Sequence, residues 1–242
     1  MKDAVFASPF EEIGPFAFND DVAQVFPDMI RRSVPGYGQM VGGVGLLAAR
    51  HAQPNTHIYD LGCSLGASAL SIARHVRTPD TRIIAVDNSP AMIDRARNFL
   101  ADSRALEDRP IDLVQADVLE QPIENASVCS LILTLQFLAF DQRDAFIKRI
   151  ADNTLPGGVL ILAEKITFTD PDEASWAQEV YWDFKRANGY SELEIAQKRS
   201  ALENVMIPET REVHEARLLA AGFKTVRVWF QTLNFMAMIA IK

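Results

Sequence analysis

The feature that most constrains this chain is a series of short apolar segments that alternates with helix-like segments from residue 57 onward. Strand-like segments occupy 57–60, 82–87, 111–115, 127–134 and 159–164, and helical periodicity occupies 67–75, 90–100 and 142–153. Strands that are apolar along their length and alternate with helices are typical of a parallel sheet covered on both faces. The sequence therefore predicts an α/β fold built on a doubly wound, mostly parallel sheet.

The last third of the chain departs from this alternation in two ways. After a helix predicted over 209–221, the β-rich runs 225–230 and 234–241 are close enough to form an antiparallel C-terminal hairpin at the sheet edge. Residues 165–208 are predicted to be mostly helical. An insertion after the carboxyl end of a strand lies over the crevice where doubly wound sheets bind ligands. We therefore expect one domain, 1–242, with a helical lid at 165–208 and an N-terminal lid at 1–37.

The N-terminal lid carries its own helix signals. Asn19 or Asp20 is placed to cap a short helix, and Pro27 is expected to kink or divide it. Residues 38–50 favour a second helix. Three small residues within it indicate close packing rather than chemistry: Gly42, Gly43 and Gly45.

Composition limits the kinds of partner that the chain can have. Its 242 residues contain 24 basic and 32 acidic side chains, a net charge of −8, which disfavours direct nucleic-acid binding. No stretch approaches the about 18 uncharged apolar residues of a membrane helix, and the N-terminus is not a secretory signal. Cys63 and Cys129 lie in apolar runs, so we expect reduced buried thiols in a cytoplasmic protein. The four histidines lack metal-ligand spacing, so no metal site is expected.

A glycine-containing turn joins the first strand to its helix. Asp60 to Gly66 reads D-L-G-C-S-L-G, and glycine at such a turn allows close approach of a ligand to the backbone. The spacing is G-x-x-x-G rather than G-x-G-x-x-G, which disfavours a dinucleotide pyrophosphate site. Asp60 itself is expected to cap or orient the loop.

Acidic residues end the next two strands. Asp87 ends the second strand, where a carboxylate can accept both hydroxyls of a ribose, and Asn88 follows it. Asp117 ends the third strand and can accept a hydrogen bond from an exocyclic amine. Aspartates at such positions often only cap helices. Their convergence with the glycine turn on one rim of the sheet nevertheless favours a nucleoside-type ligand.

This combination resembles the S-adenosylmethionine-dependent methyltransferases, which have a Rossmann-like fold. The D-x-G-x-x-x-G turn, the acids Asp87 and Asp117, and the Pro-Gly-Gly turn at 156–158 carry the resemblance. It implies S-adenosylmethionine as the cofactor or substrate.

Longer strings resemble one family within that group, the carboxy-S-adenosyl-L-methionine synthases. They are 25–30, 32–37, 59–66, 87–93, 134–137, 183–195 and 197–200, and the similarity runs from about residue 18 to the C-terminus. The resemblance implies a homodimer that converts S-adenosylmethionine and prephenate to carboxy-S-adenosylmethionine and phenylpyruvate. A partner enzyme would then carboxymethylate a wobble uridine of tRNA.

The resemblance also implies roles for individual residues. Those placed at the cofactor are Tyr37, Gly62, Cys63, Ser64, Asp87, Asn88, Asp117 and Val118. Arg199 is placed on the new carboxylate, reaching across the dimer, and Tyr37 and Arg199 are the implied catalytic residues. The family has a cofactor-contacting asparagine at the end of the fourth strand, where this chain has Ile132, which has no polar group to offer.

The predicted lid contains a clear helix start. Ser191 and Glu194 form a capping box, so a helix is expected from about Glu192. Spacing from Ile195 places Arg199 on the inward apolar stripe. An inward guanidinium requires an anion, and spacing alone leaves open a bound ligand or a neighbouring glutamate.

The other basic residues of the lid are expected to be less informative. Lys198 lies four residues after Glu194, which predicts a solvent-side pair. Lys185 and Arg186 would help to capture a dianion, but a solvated helix face is slightly favoured for both. Two rival functions remain at this point: an ordinary small-molecule methyltransferase, and a non-catalytic nucleoside-binding module.

Overall fold

A computed structural model describes residues 1–101, 103 and 109–242. The helices are α1 (Asp20–Ser33), α2 (Tyr37–His51), α3 (Ala67–His75), α4 (Pro90–Ala101), α5 (Phe140–Asn153), α6 (Pro171–Ala187), α7 (Glu192–Leu202) and α8 (Arg211–Ala220). The strands are β1 (His57–Leu61), β2 (Arg82–Asp87), β3 (Ile111–Gln115), β4 (Ala126–Ile132), β5 (Thr154–Thr167), β6 (Glu209–Thr210), β7 (Thr225–Thr232) and β8 (Phe235–Ile241). A 3₁₀ helix spans Leu135–Phe137.

The strands form one sheet in the order β3-β2-β1-β4-β5-β8-β7, with β6 paired to the end of β5. The pairs from β3 through β5 are parallel. β8 is antiparallel to β5, and β7 is antiparallel to β8. The predicted α/β class, the mostly parallel sheet and the antiparallel C-terminal hairpin are confirmed.

Side chains of each central strand alternate between two apolar cores, one on each face of the sheet. Ile58 and Ile161 pack on the first face, whereas Tyr59 and Leu160 pack on the second. The first face is covered by Val44, Ala48, Ala69, Ile72 and Ile93 of α2, α3 and α4, and the second by Phe146, Ile147, Ile150 and Leu218 of α5 and α8. Because both faces are covered, the strands are apolar at nearly every position.

The insertion begins later than predicted. Residues 165–167 still belong to β5, because Lys165 pairs with Phe235, and β6 extends the ladder through residues 166 and 167. The two helices α6 and α7 then follow, as expected for a mostly helical lid. The helix predicted over 209–221 begins only at Arg211, where the Thr210 side chain caps it.

In the N-terminal segment, the predicted cap at Asn19 is present, whereas the predicted division of the helix at Pro27 is not. Asn19 caps α1 by accepting a hydrogen bond from the amide of Val22 at 3.0 Å. Pro27 does not divide the helix, which is continuous over Asp20–Ser33. Burial of the apolar face that includes Phe26 and Met29 outweighs the single hydrogen bond that proline removes.

The glycines of α2 have different surroundings. A Cβ at Gly43 would lie 2.3 Å from the Trp229 ring, and one at Gly45 would lie 2.4 Å from Ser71 Oγ. At Gly42 nothing lies within 4 Å. Close packing is therefore the reason for glycine at two of the three positions.

Candidate active site

A cavity of about 500 Å³ lies at the carboxyl ends of β1, β2, β4 and β5. The N-terminal segment contributes Phe16 and Phe18 to its cover, and α1, α6 and α7 complete it. The predicted cofactor residues that line it are Tyr37, Gly62, Cys63, Ser64, Asp87, Asn88, Asp117, Val118 and Ile132. Among the predicted residues only Arg199 is absent from the lining. The carboxyl-end rim, the N-terminal segment and helices α1, α6 and α7 thus line one cavity.

Asp60 lies below the glycine turn and holds it in place. The side chain is 1% exposed, and Oδ2 accepts a hydrogen bond from the amide of Ala69 at 3.0 Å. Oδ1 accepts from Ser130 Oγ at 2.8 Å. Burial raises the pKa of Asp60 to about 6, although these two hydrogen bonds act in the opposite direction. Its orienting role, rather than ligand contact, agrees with the sequence prediction.

Glycine is required at position 62 for two reasons. Its φ is +81°, in the left-handed region. A Cβ there would also lie 2.3 Å from Oγ1 of Thr134, a hydroxyl that donates to the carbonyl of Leu61 at 3.1 Å. Glycine therefore lets the turn pack directly against Thr134, and Gly62, Cys63 and Ser64 line the cavity.

Asp87 connects the ends of the first two strands. Its Oδ2 accepts from the amide of Ser64 at 2.8 Å, and its Oδ1 accepts from the amide of Ser89 at 2.9 Å. Burial raises its pKa, against the two amide bonds. Each carboxylate oxygen has a second lone pair, so the group can still accept ribose hydroxyls from the cavity.

Asp117 and Val118 begin a turn that is fixed from outside the cavity. Asp117 Oδ1 accepts from the amide of Leu119 at 2.8 Å. The guanidinium of Arg149, on α5, donates to the carbonyl of Val118 at 2.6 Å and also to that of Leu119. These contacts hold Asp117 and the Val118 side chain at the cavity wall.

The wall formed by residues 134–136 depends on a buried glutamate. Glu164 is 1% exposed, and its carboxylate accepts from the amides of Thr134 at 3.2 Å, Leu135 at 2.9 Å and Gln136 at 3.0 Å. Burial raises its pKa to about 8, whereas the amides and the charge of Arg143 act in the opposite direction. Glu164 therefore holds the start of the 3₁₀ helix against the sheet.

Arg143 supports the same wall from the opposite side. It is fully buried and donates to the carbonyls of Gln136, Leu138 and Ile207 at 3.0–3.1 Å. Its guanidinium also forms an ion pair with Glu209 at 2.6 Å. The Arg143 side chain thus links the wall at residues 136–138 to the segment at residues 207–209.

Tyr37 and Cys63 contribute uncharged groups to the cavity. Burial raises the pKa of the Tyr37 hydroxyl, and nearby Asp60 acts in the same direction. Burial also raises the pKa of the Cys63 thiol, with Asp60 and Asp87 adding to the effect. Cys63 and Cys129 are both free and buried, as predicted. A thiol held in its protonated form is a packing group here, not a nucleophile.

The predicted orientation of Lys198 and Arg199 is wrong. Lys198 is 7% exposed and lines the cavity, whereas Arg199 is exposed and lies 5.5 Å from the Trp182 ring. The helix itself and its capping box are as predicted. The buried face of α7 includes Glu194, Gln197 and Lys198, because these polar groups have partners on the N-terminal segment, α1 and the helix cap. Counting the helical period from the apolar residues alone therefore placed Arg199 on the buried face, whereas its neighbour Lys198 lies there.

The preference for a solvated face is wrong for Lys185 and correct for Arg186. Lys185 is 4% exposed and lies 5.3 Å from the Tyr190 ring. Burial lowers its pKa to about 8. Arg186 is exposed and pairs with Asp183 and Glu192.

Sequence reasoning also missed Lys165, Tyr181 and Gln136, which line the cavity. Lys165 had a usable signal, because it follows an apolar strand at its carboxyl end, as Asp87 does. Tyr181 and Lys198 come from the lid, where no strand end marks the site.

Within the described part of the chain, no group of three or more His, Cys, Asp or Glu is arranged to hold a metal ion. No described helix combines the length and apolar character that a membrane crossing requires.

Comparison with known proteins defines the class first. A family model described as a methyltransferase domain matches residues 58–158. Human N-acetylserotonin methyltransferase, solved in complex with S-adenosylmethionine, superimposes with a TM-score of 0.62 at 17% identity, over 92% of this chain and 55% of that one. An O-methyltransferase family protein from Burkholderia thailandensis gives 0.65 at 17% identity, over 96% and 65%. At this identity the structures establish the Rossmann-like methyltransferase fold.

Sequence relatives narrow the class to a family. A carboxy-S-adenosyl-L-methionine synthase from Pseudomonas putida (strain GB-1) is 56% identical, over 100% of this chain and 98% of that protein. The protein of the same name from Trichlorobacter lovleyi is 54% identical, over 99% and 98%. This chain belongs to the carboxy-S-adenosyl-L-methionine synthase family, a group of transferases within the methyltransferase superfamily.

Proposed function

We propose that this chain converts S-adenosylmethionine and prephenate to carboxy-S-adenosylmethionine and phenylpyruvate. The observation that carries the proposal is that a single cavity brings together the nucleoside-type rim and buried cationic side chains, Lys165 and Lys198. The relatives named carboxy-S-adenosyl-L-methionine synthases are similar over nearly their full length, and this supports the same activity. An anionic co-substrate suits the cationic part of the cavity.

The proposed reaction balances without an added cofactor. Prephenate loses CO₂ and hydroxide as its ring becomes aromatic, the sulfonium methyl loses a proton and gains the CO₂, and hydroxide takes up the proton as water. The hydroxide released from prephenate serves as the base, so the scheme requires no strong base from the protein.

The residues of the rim have separate tasks in this proposal. Asp87 accepts hydrogen bonds from the ribose hydroxyls, with Asn88 beside it. Asp117 accepts a hydrogen bond from the exocyclic amine of the base, and Val118 packs against the ring of the base. The turn at Gly62, Cys63 and Ser64 gives backbone contact to the amino-acid part. Ile132 adds an apolar surface where the family has asparagine, and Tyr37 closes the site from α2.

Arg199 is proposed to bind the newly formed carboxylate of the partner subunit's product. Its exposure and its absence from the lining of its own cavity are compatible with action across a homodimer. We further propose that the protein is cytoplasmic and that a separate enzyme uses the product to carboxymethylate a wobble uridine of tRNA. With a net charge of −8, the chain is not proposed to bind tRNA itself.

The test is the mass of the product. Purified protein incubated with S-adenosylmethionine and prephenate should yield a nucleoside heavier than S-adenosylmethionine by one CO₂ unit, together with phenylpyruvate. Prephenate is omitted in the control, where no heavier nucleoside is expected. S-adenosylhomocysteine as the product would identify an ordinary methyltransferase, and bound but unchanged S-adenosylmethionine would identify a binding module.

A further inference from the structure

Two buried lysines reach the cavity from elements that are far apart in the sequence. Lys165 lies near the carboxyl end of β5 and Lys198 lies on α7, and both line the cavity. They are 9% and 7% exposed. Lysine is rarely buried to this degree unless its charge has a partner.

Lys165 lies at the opposite side of the cavity from the acidic rim, and Lys198 is connected to it through Lys185. Lys165 and Lys185 lie 4.5 and 5.8 Å from the Tyr181 ring, and Lys185 and Lys198 lie 5.3 and 5.8 Å from the Tyr190 ring. Asp87 ends β2, and β5 is the third strand from β2 in the sheet order. With neighbouring strands about 4.8 Å apart, the two strand ends are separated by about 14 Å. The cavity therefore has an acidic end suited to a nucleoside and a cationic end suited to a second, anionic molecule.

Neither ammonium group has a carboxylate partner in the described part of the chain, where no ion pair within 4.0 Å includes it. Lys198 Nζ donates to Ser33 Oγ at 3.3 Å, and Lys165 Nζ donates to Gln178 Oε1 at 3.3 Å. Lys165 Nζ also lies 4.5 Å from the centre of the Tyr181 ring. All of these contacts are with neutral groups.

The environment disfavours the charged form of both lysines. Burial lowers the pKa of Lys165 to about 8 and that of Lys198 to about 7, and the charge of Lys185 acts in the same direction on both. Asp3 opposes the effect on Lys198 but does not line the cavity. A bound anion would reverse this cost, since it would supply the missing counter-charge.

We propose that Lys165 and Lys198 together bind the carboxylate that the co-substrate keeps throughout the reaction. This inference rests on the proposed function. Of the two carboxylates of prephenate, one leaves as CO₂, and cations that stabilised it in the bound substrate would oppose its loss. Cations on the retained carboxylate leave the other free to depart toward the sulfonium methyl.

The first test uses the variants Lys165→Met and Lys198→Met, which keep most of the unbranched apolar side chain and remove the charge. We expect the KM for prephenate to rise about tenfold or more in each, because a charge-assisted hydrogen bond is lost. The Kd for S-adenosylmethionine, measured by calorimetry, should stay within about twofold of wild type. Weaker S-adenosylmethionine binding with an unchanged KM would assign the lysines to that molecule's own carboxylate and overturn the proposal.

Phenylpyruvate identifies which carboxylate is held, because it contains only the retained one. It should inhibit the wild type competitively with prephenate, and its inhibition constant should rise with the prephenate KM in both variants. A higher KM with unchanged phenylpyruvate inhibition would place the lysines on the departing carboxylate and contradict the inference.

Lys185→Met is the matched control, since Lys185 is also a buried lysine of the lid but does not line the cavity. Its prephenate KM should not rise, because removing the Lys185 charge favours the charged form of Lys165 and Lys198. Melting curves of all three variants show whether each is folded, and Lys165→Met is informative even if Lys198→Met is not folded. Unchanged KM values in folded Lys165→Met and Lys198→Met would overturn the subsite.

Failure of the proposed function would look different. If the wild type forms no carboxylated product, phenylpyruvate itself becomes the probe, titrated calorimetrically into protein saturated with S-adenosylhomocysteine. Binding by the wild type that is lost in the Lys165→Met and Lys198→Met variants would support the anion site. No binding by the wild type would overturn it.

Discussion

At the scale of single residues, the candidate site contains groups that fix the backbone and also line the cavity. Asp87 binds two amides of its own chain while it faces the cavity. Gly62 combines a left-handed backbone with a side-chain position already filled by Thr134. We expect such residues to allow little substitution, because a change alters the local conformation and the cavity surface together.

Gly62→Ala is expected to lower both stability and S-adenosylmethionine affinity. The left-handed φ alone costs a residue with a Cβ about 1–3 kcal/mol, and the clash with Thr134 adds to this cost. Thermal melting and calorimetric titration measure the two effects. Gly42→Ala is the control: it lies within α2 with nothing within 4 Å, so it should stabilise the protein by about 0.5–1 kcal/mol. Wild-type melting and affinity in Gly62→Ala would contradict the account of the turn.

Asp87→Asn should weaken S-adenosylmethionine binding by about tenfold or more, because a neutral amide replaces a charge-assisted acceptor. The amide oxygen can still accept one of the two backbone bonds, so the protein should remain folded. Asp94→Asn, an exposed change on α4, should bind normally. Equal affinity of the two variants in a calorimetric titration would remove Asp87 from the site.

At the scale of elements, α7 and the N-terminal segment act as one cover. The side-chain amide of Gln197 accepts from the amide of Phe10 at 2.8 Å and donates to the carbonyls of Phe6 and Ser8 at 2.9 Å. Further along, the amide of Phe16 donates to the carbonyl of Ala201 at 2.9 Å. The position of this segment on the cavity is therefore tied to α7.

Gln197→Ala is expected to release the N-terminal segment without unfolding the sheet. It removes three hydrogen bonds, each worth about 0.5–1.5 kcal/mol, from residues 6–10, whereas Asp3 and Phe16 on either side keep their own contacts. Limited proteolysis should cut faster within residues 1–18, and S-adenosylmethionine should bind more weakly. Gln121→Ala, at a half-buried loop glutamine that donates to the neighbouring Pro122 carbonyl, should match the wild type. Unchanged cleavage in Gln197→Ala would show that α7 does not hold the cover.

At the scale of the whole molecule, the exposed position of Arg199 raises the question of which cavity it acts on. A residue outside its own cavity can contact the product only in a neighbouring subunit or after the lid moves. Mixing two defective chains distinguishes these possibilities, since each chain then has one intact function.

If the protein is the proposed homodimer and Arg199 acts across it, Arg199→Ala chains mixed with Asp87→Ala chains should regain activity. A mixed dimer then has one cavity with intact Asp87 that receives Arg199 from the other chain, and random mixing should give about a quarter of the wild-type activity. The readout is the rate of carboxy-S-adenosylmethionine formation after mixing, with each variant alone as the control. No recovery in dimers shown to be mixed would mean that Arg199 acts within its own chain or not at all.

Local sequence was sufficient to predict the sheet and the acidic residues at the carboxyl ends of its strands. Strands that are buried on both faces are continuous apolar runs, so Asp60, Asp87 and Asp117 stand out where the runs end. Parallel strands bring those ends to one edge, and this rule needs no knowledge of the packing. The rim residues were therefore predicted together with the fold.

The lid shows where tertiary structure was decisive. Which side of α7 faces inward depends on the partners that reach it, and Ser33 and the N-terminal segment bind the polar residues Lys198 and Gln197. Pro27 remains inside a helix for a related reason, since its neighbours are buried against other elements. Burial is a property of contacts between distant parts of the chain, so a helix's own spacing predicts that it is amphipathic but not which polar groups are enclosed.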